Sequence, residues 1–509
     1  MFIDLEFGPI DEIATARHWD RPTVRDRFLR RIAFYAARGI ATGDRVLLHY
    51  GNTAEFFVDL AALWSLGACA IPIDSRLTPF EIGTLARAAA ARFSLWNTDP
   101  DPEIARALGA LDTRLIDASE ADSATPSAGA PAGRLVTLDA DALILFTSGT
   151  TGDPKGVVHT HRSLRARWMA LRHSLGLDAF RRSLCLLPTH FGHGLICNSL
   201  FPWLSGGHLF IAPAFKPDLI LRLGALLDEH QITFMSSVPT VWRLALKTAA
   251  PPRSASLQRV FCGSAPLSGH LWSEIRRWTG AHEVWNAYGI TETGSWLAGT
   301  SVGEFVPEDG LIGEPWGGIV RIAHGADAES QLAPDRQCRA GETGHVWVNT
   351  PALMRGYLGR DDLTTAVVSG GWFCTGDIGV VDDRGWLRLR GRERDEINKG
   401  GMKVHPSDVD AVVERFEHTM DVCTFAIDDA LLGEDVGVAV VLGKTDPAVL
   451  AQLQAWMAQH LARHQMPRKW YLLDEIPRTS RGKVNRAAVA SRCAGLEPVE
   501  VRAPVRPGG

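Results

Sequence analysis

The sequence lacks the marks of several large protein classes. It has no CxxC pair, and its eight cysteines are scattered, the nearest two, Cys185 and Cys197, standing twelve positions apart. This spacing argues against a structural zinc site and favours buried thiols in a reducing compartment. No run of roughly 18 apolar residues occurs, as a membrane-spanning helix would require, and residues 1–20 do not have the pattern of a signal peptide. We therefore expect a soluble, cytoplasmic protein without a membrane span.

An excess of basic residues is also missing. Lys and Arg number 53 against 58 Asp and Glu, which gives a formal net charge of −5. A nucleic-acid partner would require a basic surface, so DNA and RNA are not expected ligands. With 46% hydrophobic and 22% charged residues the composition is that of an ordinary globular chain, and 509 residues imply several packing units.

What the first part of the chain does contain is a regular alternation of helix and strand patterns. Apolar residues recur at steps of three and four in the helical segments, and short apolar runs separate them. This alternation predicts an α/β fold with layered parallel sheets. The predicted helices are 27–40, 54–66, 79–91, 161–175, 217–230 and 268–278, and the predicted strands are 45–49, 69–73, 92–96, 142–146, 183–188 and 232–237.

From about residue 394 the pattern changes to that of a compact α+β unit. It is predicted to contain helices 405–416 and 447–463 and strands 421–427, 435–442 and 469–473. We therefore divide the chain into a large N-terminal region of several subdomains, 1–393, and a small C-terminal α+β domain, 394–509.

The sharpest local signal is the segment 145–156, LFTSGTTGDPKG. Glycines let backbone N–H groups approach an anion closely, and hydroxyls and a lysine add donors and charge. The GxxxxGK[ST] spacing of a Walker A loop is absent. Taken alone, the segment fits a plain turn as well as a phosphate cradle. Its candidate phosphate ligands are Thr147, Ser148, Gly149, Thr150, Thr151, Gly152 and Lys155.

Four further segments carry chemistry. Residues 285–294, WNAYGITETG, combine an aromatic ring, a hydroxyl and a carboxylate suited to a base, a phosphate and Mg²⁺. Residues 374–379 place an aspartate on a turn, where its two oxygens would reach both ribose hydroxyls. Residues 388–401 are charge-dense and end in two glycines, and residues 477–486 form a basic loop. Each alone would usually be a solvated turn or charge run.

Together, and in this order, the five segments closely resemble those of the adenylate-forming enzymes. This superfamily contains acyl- and aryl-CoA synthetases, adenylation domains of peptide synthetases and firefly-type luciferases, and the resemblance is nearest to the acyl-CoA synthetases. Further matches are 263–267 (GSAPL), 313–315 (GEP) and Gly356-Tyr357 followed by Thr364. The resemblance covers nearly the whole chain and implies an ATP-dependent ligase that forms an acyl-adenylate and pyrophosphate.

The resemblance also implies roles for individual residues. Thr291 would bond the α-phosphate, Glu292 would ligate Mg²⁺, and Lys483 would stabilise charge as the carboxylate attacks. Residues 147–156 would grip the β- and γ-phosphates. Asp377 would hold the ribose hydroxyls with help from Arg392. The adenine pocket would comprise Gly263, Ser264, Ala265, Asn286, Ala287, Tyr288 and Gly289, with Tyr288 against the ring.

The resemblance also implies that region 1–393 binds ATP and the acid, that the C-terminal domain 394–509 is a mobile lid, and that the active site lies between the two. In the family, the lid then rotates to allow thioester formation. The hinge position falls at Arg394, where Asp or Lys is more usual, and Gly400-Gly401 resembles the pair that lines the pantetheine tunnel for CoA. A simple tight turn is the alternative for the two glycines. Leu432 stands where some aryl-CoA ligases have a tryptophan near CoA.

The acid pocket is expected around residues 187–195, LPTHFGHGL, which resemble the matching stretch of malonyl- and oxalyl-CoA synthetases. No aspartate is present to hold an amino acid, and Ala287 stands where malonate enzymes tend to carry an arginine. The many small residues suggest a roomy, mostly apolar pocket for an aryl or a bulky or medium-chain aliphatic acid. His190 and His193 would either bond a polar substituent or serve as buried structural histidines. The pocket candidates are His190, Phe191, Gly192, His193, Ser237, Gly289 and Gly294.

Three functions remain open at this stage. The first is an acid–CoA ligase (AMP-forming) that uses ATP, Mg²⁺ and CoA. The second is a stand-alone adenylating enzyme that loads a phosphopantetheinyl carrier protein. The third is a nucleotide-binding protein without catalysis, against which the intact set Thr291, Glu292, Asp377, Arg392 and Lys483 argues.

Overall fold

The computed structural model describes residues 6–123, 136–147, 154–214, 216–300, 305–324, 336–445, 447–479 and 483–499. These residues form three sheets and the helices that cover them. In chain order the α-helices are α1 Arg21–Ala37, α2 Ala54–Leu66, α3 Pro79–Ala89, α4 Pro102–Gly109, α5 His161–Leu175, α6 Phe201–Trp203, α7 Pro217–Leu221, α8 Leu223–Glu229, α9 Pro239–Thr248, α10 Gly269–Thr279, α11 Asp361–Val367, α12 Pro406–Glu414, α13 Pro447–His460 and α14 Arg486–Ala494.

The strands within the same ranges fall into sheets of seven, fourteen and five. They are β1 Ile10–Glu12, β2 Arg17–Trp19, β3 Arg45–Leu48, β4 Cys69–Pro72, β5 Phe93–Trp96, β6 Arg114–Asp117, β7 Asp141–Thr147, β8 Lys155–Thr160, β9 Arg182–Cys185, β10 His208–Ile211, β11 Phe234–Ser237, β12 Arg259–Gly263, β13 Glu283–Ile290, β14 Ser295–Gly299, β15 Leu311–Pro315, β16 Ile319–Ala323, β17 Gly344–Asn349, β18 Gly356–Tyr357, β19 Val368–Ser369, β20 Trp372–Val381, β21 Leu387–Arg392, β22 Ile397–Lys399, β23 Met402–Val404, β24 Thr419–Asp429, β25 Gly433–Leu442 and β26 Lys469–Leu472.

The seven-stranded sheet has the order β18-β8-β7-β4-β3-β5-β6 and is parallel from β7 to β6. Helix α2 packs in the main core and is buried on every side, which its almost wholly apolar sequence requires. Thr53 caps its first turn by accepting from the Phe56 amide, and Gly67, in the left-handed region at φ 75°, ends it. The predicted layering of helices on parallel strands is confirmed for this part of the chain.

The fourteen-stranded sheet changes character along its length. Strands β1, β10, β9, β11, β12 and β13 are parallel, and from β13 onward each strand is antiparallel to its neighbour in the order β14-β15-β21-β20-β17-β16. The alternation of helix and strand patterns did not predict this antiparallel half. The predicted helix 217–230 is wrong in one respect, because it is broken at Arg222 into α7 and α8.

The five-stranded sheet lies in the C-terminal part, in the order β23-β22-β25-β24, with β26 parallel to β25. Helices α12 and α13 pack on it around Val409, Val413 and Leu453. Strand β21 belongs to the large sheet and β22 to this one, so the sheet changes between residues 392 and 397. The division at 393/394 remains a prediction.

The C-terminal part is tied to the N-terminal part by ion pairs. The guanidinium of Arg243, on α9, donates through Nε and Nη2 to one oxygen of Glu414, on α12, at 2.9 and 2.6 Å. Nη1 of Arg415, which directly follows α12, lies 3.3 Å from Asp309 Oδ2. Both partners of the first pair are largely buried, so this contact fixes one orientation of the C-terminal part.

The eight cysteines are all buried and free, as predicted. Every helix in the described residues is too short or too polar to span a bilayer.

Candidate active site

The glycine-rich segment connects two adjacent antiparallel strands. Strand β7 ends at Thr147 and β8 begins at Lys155, and these two residues are register partners. Residues 148–153, which contain the predicted phosphate ligands Ser148, Gly149, Thr150, Thr151 and Gly152, lie outside the described residues. The strand ends therefore fix where the segment begins and ends, and its grip on phosphates stays a prediction.

Lys155 and Glu292 are brought together by a tyrosine. The Lys155 ammonium lies 5.7 Å from the centre of the Tyr357 ring, and the Tyr357 hydroxyl donates to Glu292 Oε1 at 2.8 Å. Burial, together with the Glu292 carboxylate, raises the pKa of Tyr357, so its hydroxyl stays protonated and remains a donor. The predicted phosphate lysine and the predicted Mg²⁺ ligand thus share one cluster. The sequence pattern identified Tyr357 as a motif residue but not this role.

A second cluster joins the 285–294 and 374–379 segments. The Tyr288 hydroxyl donates to Asp377 Oδ2, and Arg392 Nε lies 2.9 Å from Asp377 Oδ1. The Asp377 carboxylate raises the pKa of Arg392, while burial, together with that carboxylate, raises the pKa of Tyr288. Both oxygens of Asp377 thus already have a protein donor. Each carboxylate oxygen can accept a second bond, which leaves acceptor capacity for ribose hydroxyls.

The adenine-pocket candidates lie on neighbouring strands. Gly263, at the end of β12, is the register partner of Ala287 on β13. A Cβ at Gly263 would lie 2.3 Å from the Ala287 carbonyl oxygen, so only glycine fits. Asn286 donates its side-chain amide to the Leu311 carbonyl at 2.9 Å, which gives it a structural function. Ser264 has a positive φ of 66° and is followed by Ala265 in the same turn.

The Thr291–Thr293 turn is held from behind by two residues that the sequence analysis missed. His159 Nε2 donates to the Thr291 carbonyl at 2.7 Å. Arg167 is fully buried and donates to the Thr293 carbonyl at 3.0 and 2.9 Å and to the Trp316 carbonyl at 2.7 Å. Burial lowers the pKa of Arg167 to about 10. A signal existed, because Arg167 lies on the apolar stripe of α5, a costly position for a charge.

His193 is a buried, neutral histidine between two serines. Its Nδ1 lies 2.8 Å from Ser264 Oγ and its Nε2 lies 2.5 Å from Ser236 Oγ. Its ring packs edge-on against Trp296, with the centroids 5.9 Å apart. Burial, with a smaller contribution from the positive charge of Lys483, lowers the pKa of His193 to about 3. Both nitrogens are engaged by the protein, which favours the structural alternative for this residue.

The remaining acid-pocket candidates are small residues, and their small size does not by itself show that the pocket is large. A Cβ at Gly289 would lie 2.2 Å from the Ser295 carbonyl oxygen, and Gly294 has a φ of +71° beside the Arg167 side chain. Ser237 is buried on the face of β11 opposite Ser236. A Cβ at Gly192 would make ordinary contacts with Ser295 and Leu145, as would one at Gly294 with Arg167, so at Gly294 it is the positive φ that favours glycine. Close backbone packing at Gly289 and backbone conformation at Gly294 therefore account for these two glycines, and a roomy pocket stays a prediction.

His190 and Phe191 lie at the start of the same segment. His190 Nε2 is 3.6 Å from Asp74 Oδ2, and its ring is 5.8 Å from that of Phe191. Phe191 is buried. Both predicted pocket histidines are thus engaged by protein groups.

The buried histidines predict acid sensitivity. Folded His193 takes up a proton only near pH 3, whereas unfolded His193 does so near 6.5. The unfolded state therefore binds more protons between these two pH values. The contribution of neutral His193 to the unfolding free energy is lost as the pH falls through this window, at about 1 kcal/mol per pH unit. We expect the unfolding free energy of His193→Gln, measured by urea denaturation from pH 7 to 4.5, to fall less steeply than that of the wild type. Equal slopes would contradict this.

The positive charge of Lys483, in the C-terminal part, acts on His193. The Lys483 side chain is exposed, and its carbonyl oxygen accepts from Thr479 N at 2.8 Å. Its charge contributes, after burial, to the lowered pKa of His193. The catalytic role of Lys483 stays a prediction.

The predicted hinge, Arg394, lies in a short 3-10 helix, Glu393–Asp395, between the large sheet and the C-terminal one. Its Nε is 3.6 Å from the Asp395 carboxylate, and the side chain is exposed. This position is compatible with a hinge, which stays a prediction.

Gly400 and Gly401 form the two-residue turn of the β22–β23 hairpin. Their φ values of +59° and +88° require glycine in such a turn. A Cβ at Gly400 would lie 2.9 Å from Leu432 Cδ2, whereas one at Gly401 would meet nothing within 4 Å. The tight-turn alternative is sufficient to explain the pair, and the CoA tunnel remains a prediction.

Gly401→Ala tests the tunnel. We expect it to slow acyl transfer to CoA by about tenfold because the new methyl enters the path of the thiol arm, while adenylate formation stays within about twofold. Single-turnover assays of pyrophosphate release and acyl-CoA formation separate the two steps. Gly385→Ala is the matched control, since Gly385 also has a positive φ (80°) and open surroundings. If transfer is unchanged, or slowed equally in the control, the tunnel assignment is wrong.

Nearly the whole chain is similar to known proteins. The family model described as AMP-binding enzyme matches residues 24–358, and that of the AMP-binding enzyme C-terminal domain matches residues 408–483. The chain is 29% identical to a feruloyl-CoA synthase of an Amycolatopsis species over 490 residues, covering 94% of this chain and 96% of that protein. It is 28% identical to an oxalate–CoA ligase of Arabidopsis thaliana, covering 89% of each. The structure of ATP-bound MatB from Rhodopseudomonas palustris matches with a TM-score of 0.83 at 25% identity, covering 97% of each chain.

Proposed function

Because the chain belongs to the AMP-binding enzyme family and is an AMP-forming acid–CoA ligase, we propose that its substrate is a monocarboxylic acid with an aryl group or with a bulky or medium-chain aliphatic group. The acid carboxylate attacks the α-phosphorus of ATP, which gives an acyl-adenylate and pyrophosphate. The thiol of CoA then attacks the acyl carbon, which gives acyl-CoA and AMP.

The first step requires positive charge where two anions meet, because a carboxylate and a triphosphate repel each other. Lys155, at the end of the phosphate segment, and Lys483, whose charge acts on His193, are the two lysines proposed to supply it. Glu292 fits Mg²⁺, since carboxylate oxygens are preferred ligands of this ion and the Tyr357 bond fixes the orientation of the carboxylate. When bound, the ion would neutralise phosphate charge.

The observation that carries the proposal is the Tyr357 cluster, in which the tyrosine donates to Glu292 and has the Lys155 ammonium 5.7 Å from its ring centre, so that a cation and a candidate Mg²⁺ ligand meet where the triphosphate is expected. Lys483, in the C-terminal part, adds positive charge that acts on His193. The buried Arg243–Glu414 pair holds that part in the same orientation. Adenylate formation is the step for which this arrangement is suited, and formation of the thioester would need the rotation that is typical of the family.

The surroundings of His193 bear on the character of the acid. Trp296 packs against its ring and belongs to a buried aromatic cluster with Phe234 and Phe261, with the Phe261 and Trp296 centroids 4.6 Å apart. His193 is neutral and engaged by two serines, and His190 faces Asp74. Neither histidine therefore offers a free cation to a second carboxylate, and burying one unpaired is costly. This favours a monocarboxylic, largely apolar acid over a dicarboxylic one.

The test is pyrophosphate release across a panel of aryl, medium-chain, dicarboxylic and amino acids, with and without CoA, with Lys483→Ala measured as the background. We expect release with aryl or medium-chain acids and acceleration by CoA as acyl-CoA appears. Faster release with dicarboxylic acids would contradict the substrate class. An acyl-adenylate that accumulates whatever the CoA concentration would contradict CoA as acceptor and indicate a phosphopantetheinyl carrier protein.

A further inference from the structure

Three potential metal ligands converge at the N-terminal edge of the fourteen-stranded sheet, away from the residues assigned to ATP and the acid. Asp11 lies on β1, His18 on β2 and His208 on β10. Strand β1 is paired with both of the others, antiparallel to β2 and parallel to β10. A site at this edge therefore combines residues from two ends of a 200-residue stretch of chain.

The strand register places all three side chains on one face. Asp11 is the direct cross-strand partner of His18 and the register partner of Phe210. His208 precedes Phe210 by two positions, and residues two apart on a strand point to the same side. The alternation of the strands thus accounts for the convergence without any unusual backbone.

The donor atoms lie close together and are oriented. The Asp11 carboxylate stands between the two rings, with one oxygen against His18 Nδ1 and the other 3.0 Å from His208 Nε2. The three donors lie within 4.8 Å of one another. The His208 ring stacks on Phe210, with centroids 4.2 Å apart at 28°, which restricts its rotation. The two imidazole centroids are 5.8 Å apart.

We propose that Asp11, His18 and His208 form a site for a borderline divalent metal ion of the zinc type, separate from the Mg²⁺ of the active site. Two imidazole nitrogens and one carboxylate oxygen are a common ligand set for zinc. A tetrahedral ion with bonds near 2.0–2.1 Å holds its donors about 3.3 Å apart, and the three donors here already lie within 4.8 Å of one another. His18 is 57% exposed, which leaves the fourth position to water. The ion would fasten the β1–β2 hairpin to β10.

The neighbouring charges permit this. Arg17 is engaged by Glu12 and Glu55, and its charge is thereby balanced. The Arg182 guanidinium lies over the Phe210 ring at 4.7 Å and donates to the His230 carbonyl at 2.8 Å, which holds it beside the aromatic ring. Asp11 supplies the negative charge of the site. A metal-free triad, in which the carboxylate merely accepts from the two imidazoles, is the competing explanation.

The experiment titrates zinc into full-length, chelator-treated protein with excess Mg²⁺ present, so that oxygen-ligand sites such as Glu292 are occupied. A competing chromogenic chelator reports stoichiometry, and thermal unfolding reports the coupling to folding. We expect one equivalent to bind and the midpoint to rise by about 2–4 °C at a hundredfold excess over Kd. His18→Asn and Asp11→Asn should abolish both effects. His270→Asn, which removes an exposed histidine paired with Glu274, is the matched control and should retain them.

A second group, His324, Cys338 and Glu342, could also bind zinc, and cobalt distinguishes the two. Binding at Cys338 would give thiolate-to-cobalt charge-transfer absorption, whereas a site with only nitrogen and oxygen ligands would not. Cobalt that binds without this band and is lost in His18→Asn supports the proposal. Absence of binding, binding that survives His18→Asn, or binding lost only in Cys338→Ser overturns it, the first outcome favouring the metal-free triad.

Discussion

Replacing Lys483 with alanine is expected to lower the rate of adenylate formation by about 10²–10³-fold, the usual cost of removing one group that stabilises charge in a transition state. The reason is electrostatic, because Lys483 is a cation of the C-terminal part whose charge acts on His193, in the predicted acid pocket. Since its side chain is exposed, the thermal unfolding midpoint should change by no more than about 1 °C. Single-turnover pyrophosphate release with a responsive acid is the measurement.

Two variants make this result interpretable. Lys444→Ala removes another exposed lysine of the C-terminal part and should leave the rate unchanged. In addition, transfer to CoA from acyl-adenylate supplied to the Lys483→Ala enzyme should stay within about threefold, because the lysine acts on the first step. Near-normal pyrophosphate release would show that the charge is supplied elsewhere and would contradict the predicted role of Lys483.

The second large effect is expected at Arg167. Arg167→Met would leave the Thr293 and Trp316 carbonyls without their donor in a buried setting, so we expect a loss of about 3 kcal/mol in unfolding free energy. Adenylate formation should fall about tenfold or more, since the turn that carries Thr291 and Glu292 loses its support. Urea denaturation and kcat, measured on the same preparation, test both parts.

Rescue distinguishes positioning from simple destabilisation. Arg167→Lys keeps the charge but can reach fewer carbonyls than the guanidinium fork, so we expect most of the stability and only part of kcat to return. Arg165→Met, at an exposed position of the same helix, is the control and should be neutral. A Met variant that is stable and fully active would show that the turn is held by other contacts.

Local periodicity was enough to predict much of the fold. Helix α2 has the predicted bounds, 54–66, and α5 has the predicted bounds, 161–175, because each begins at a capping threonine and has an apolar face of the right period. The antiparallel half from β14 to β21 was not predicted, because its pairings join residues up to 77 positions apart, as in the register between Leu311 and Arg388. Such pairings leave no periodic trace in the sequence.

The candidate site divides in the same way. Motif residues assigned by resemblance meet in the structure, as in the Tyr288–Asp377–Arg392 cluster. The residues behind them, such as His159 and Ser236, hold the site through single hydrogen bonds that no local pattern marks. The glycines are poor indicators of pocket size for a related reason. At Gly263 and Gly289 the missing side chain makes room for a neighbouring carbonyl oxygen, not for substrate. A glycine in the sequence does not show which of these two reasons applies.

The Arg243–Glu414 pair has a consequence for how far the two parts of the chain are interchangeable. A C-terminal part taken from a relative would bring its own residue to position 414, and a neutral one would leave a largely buried guanidinium without a counterion. Hybrid enzymes joined at residues 393/394 should therefore be stable only when an acidic residue is kept at position 414 or when Arg243 is replaced together with that residue. The residues at positions 243 and 414 must therefore match when the two parts come from different chains, and they would have to be changed together.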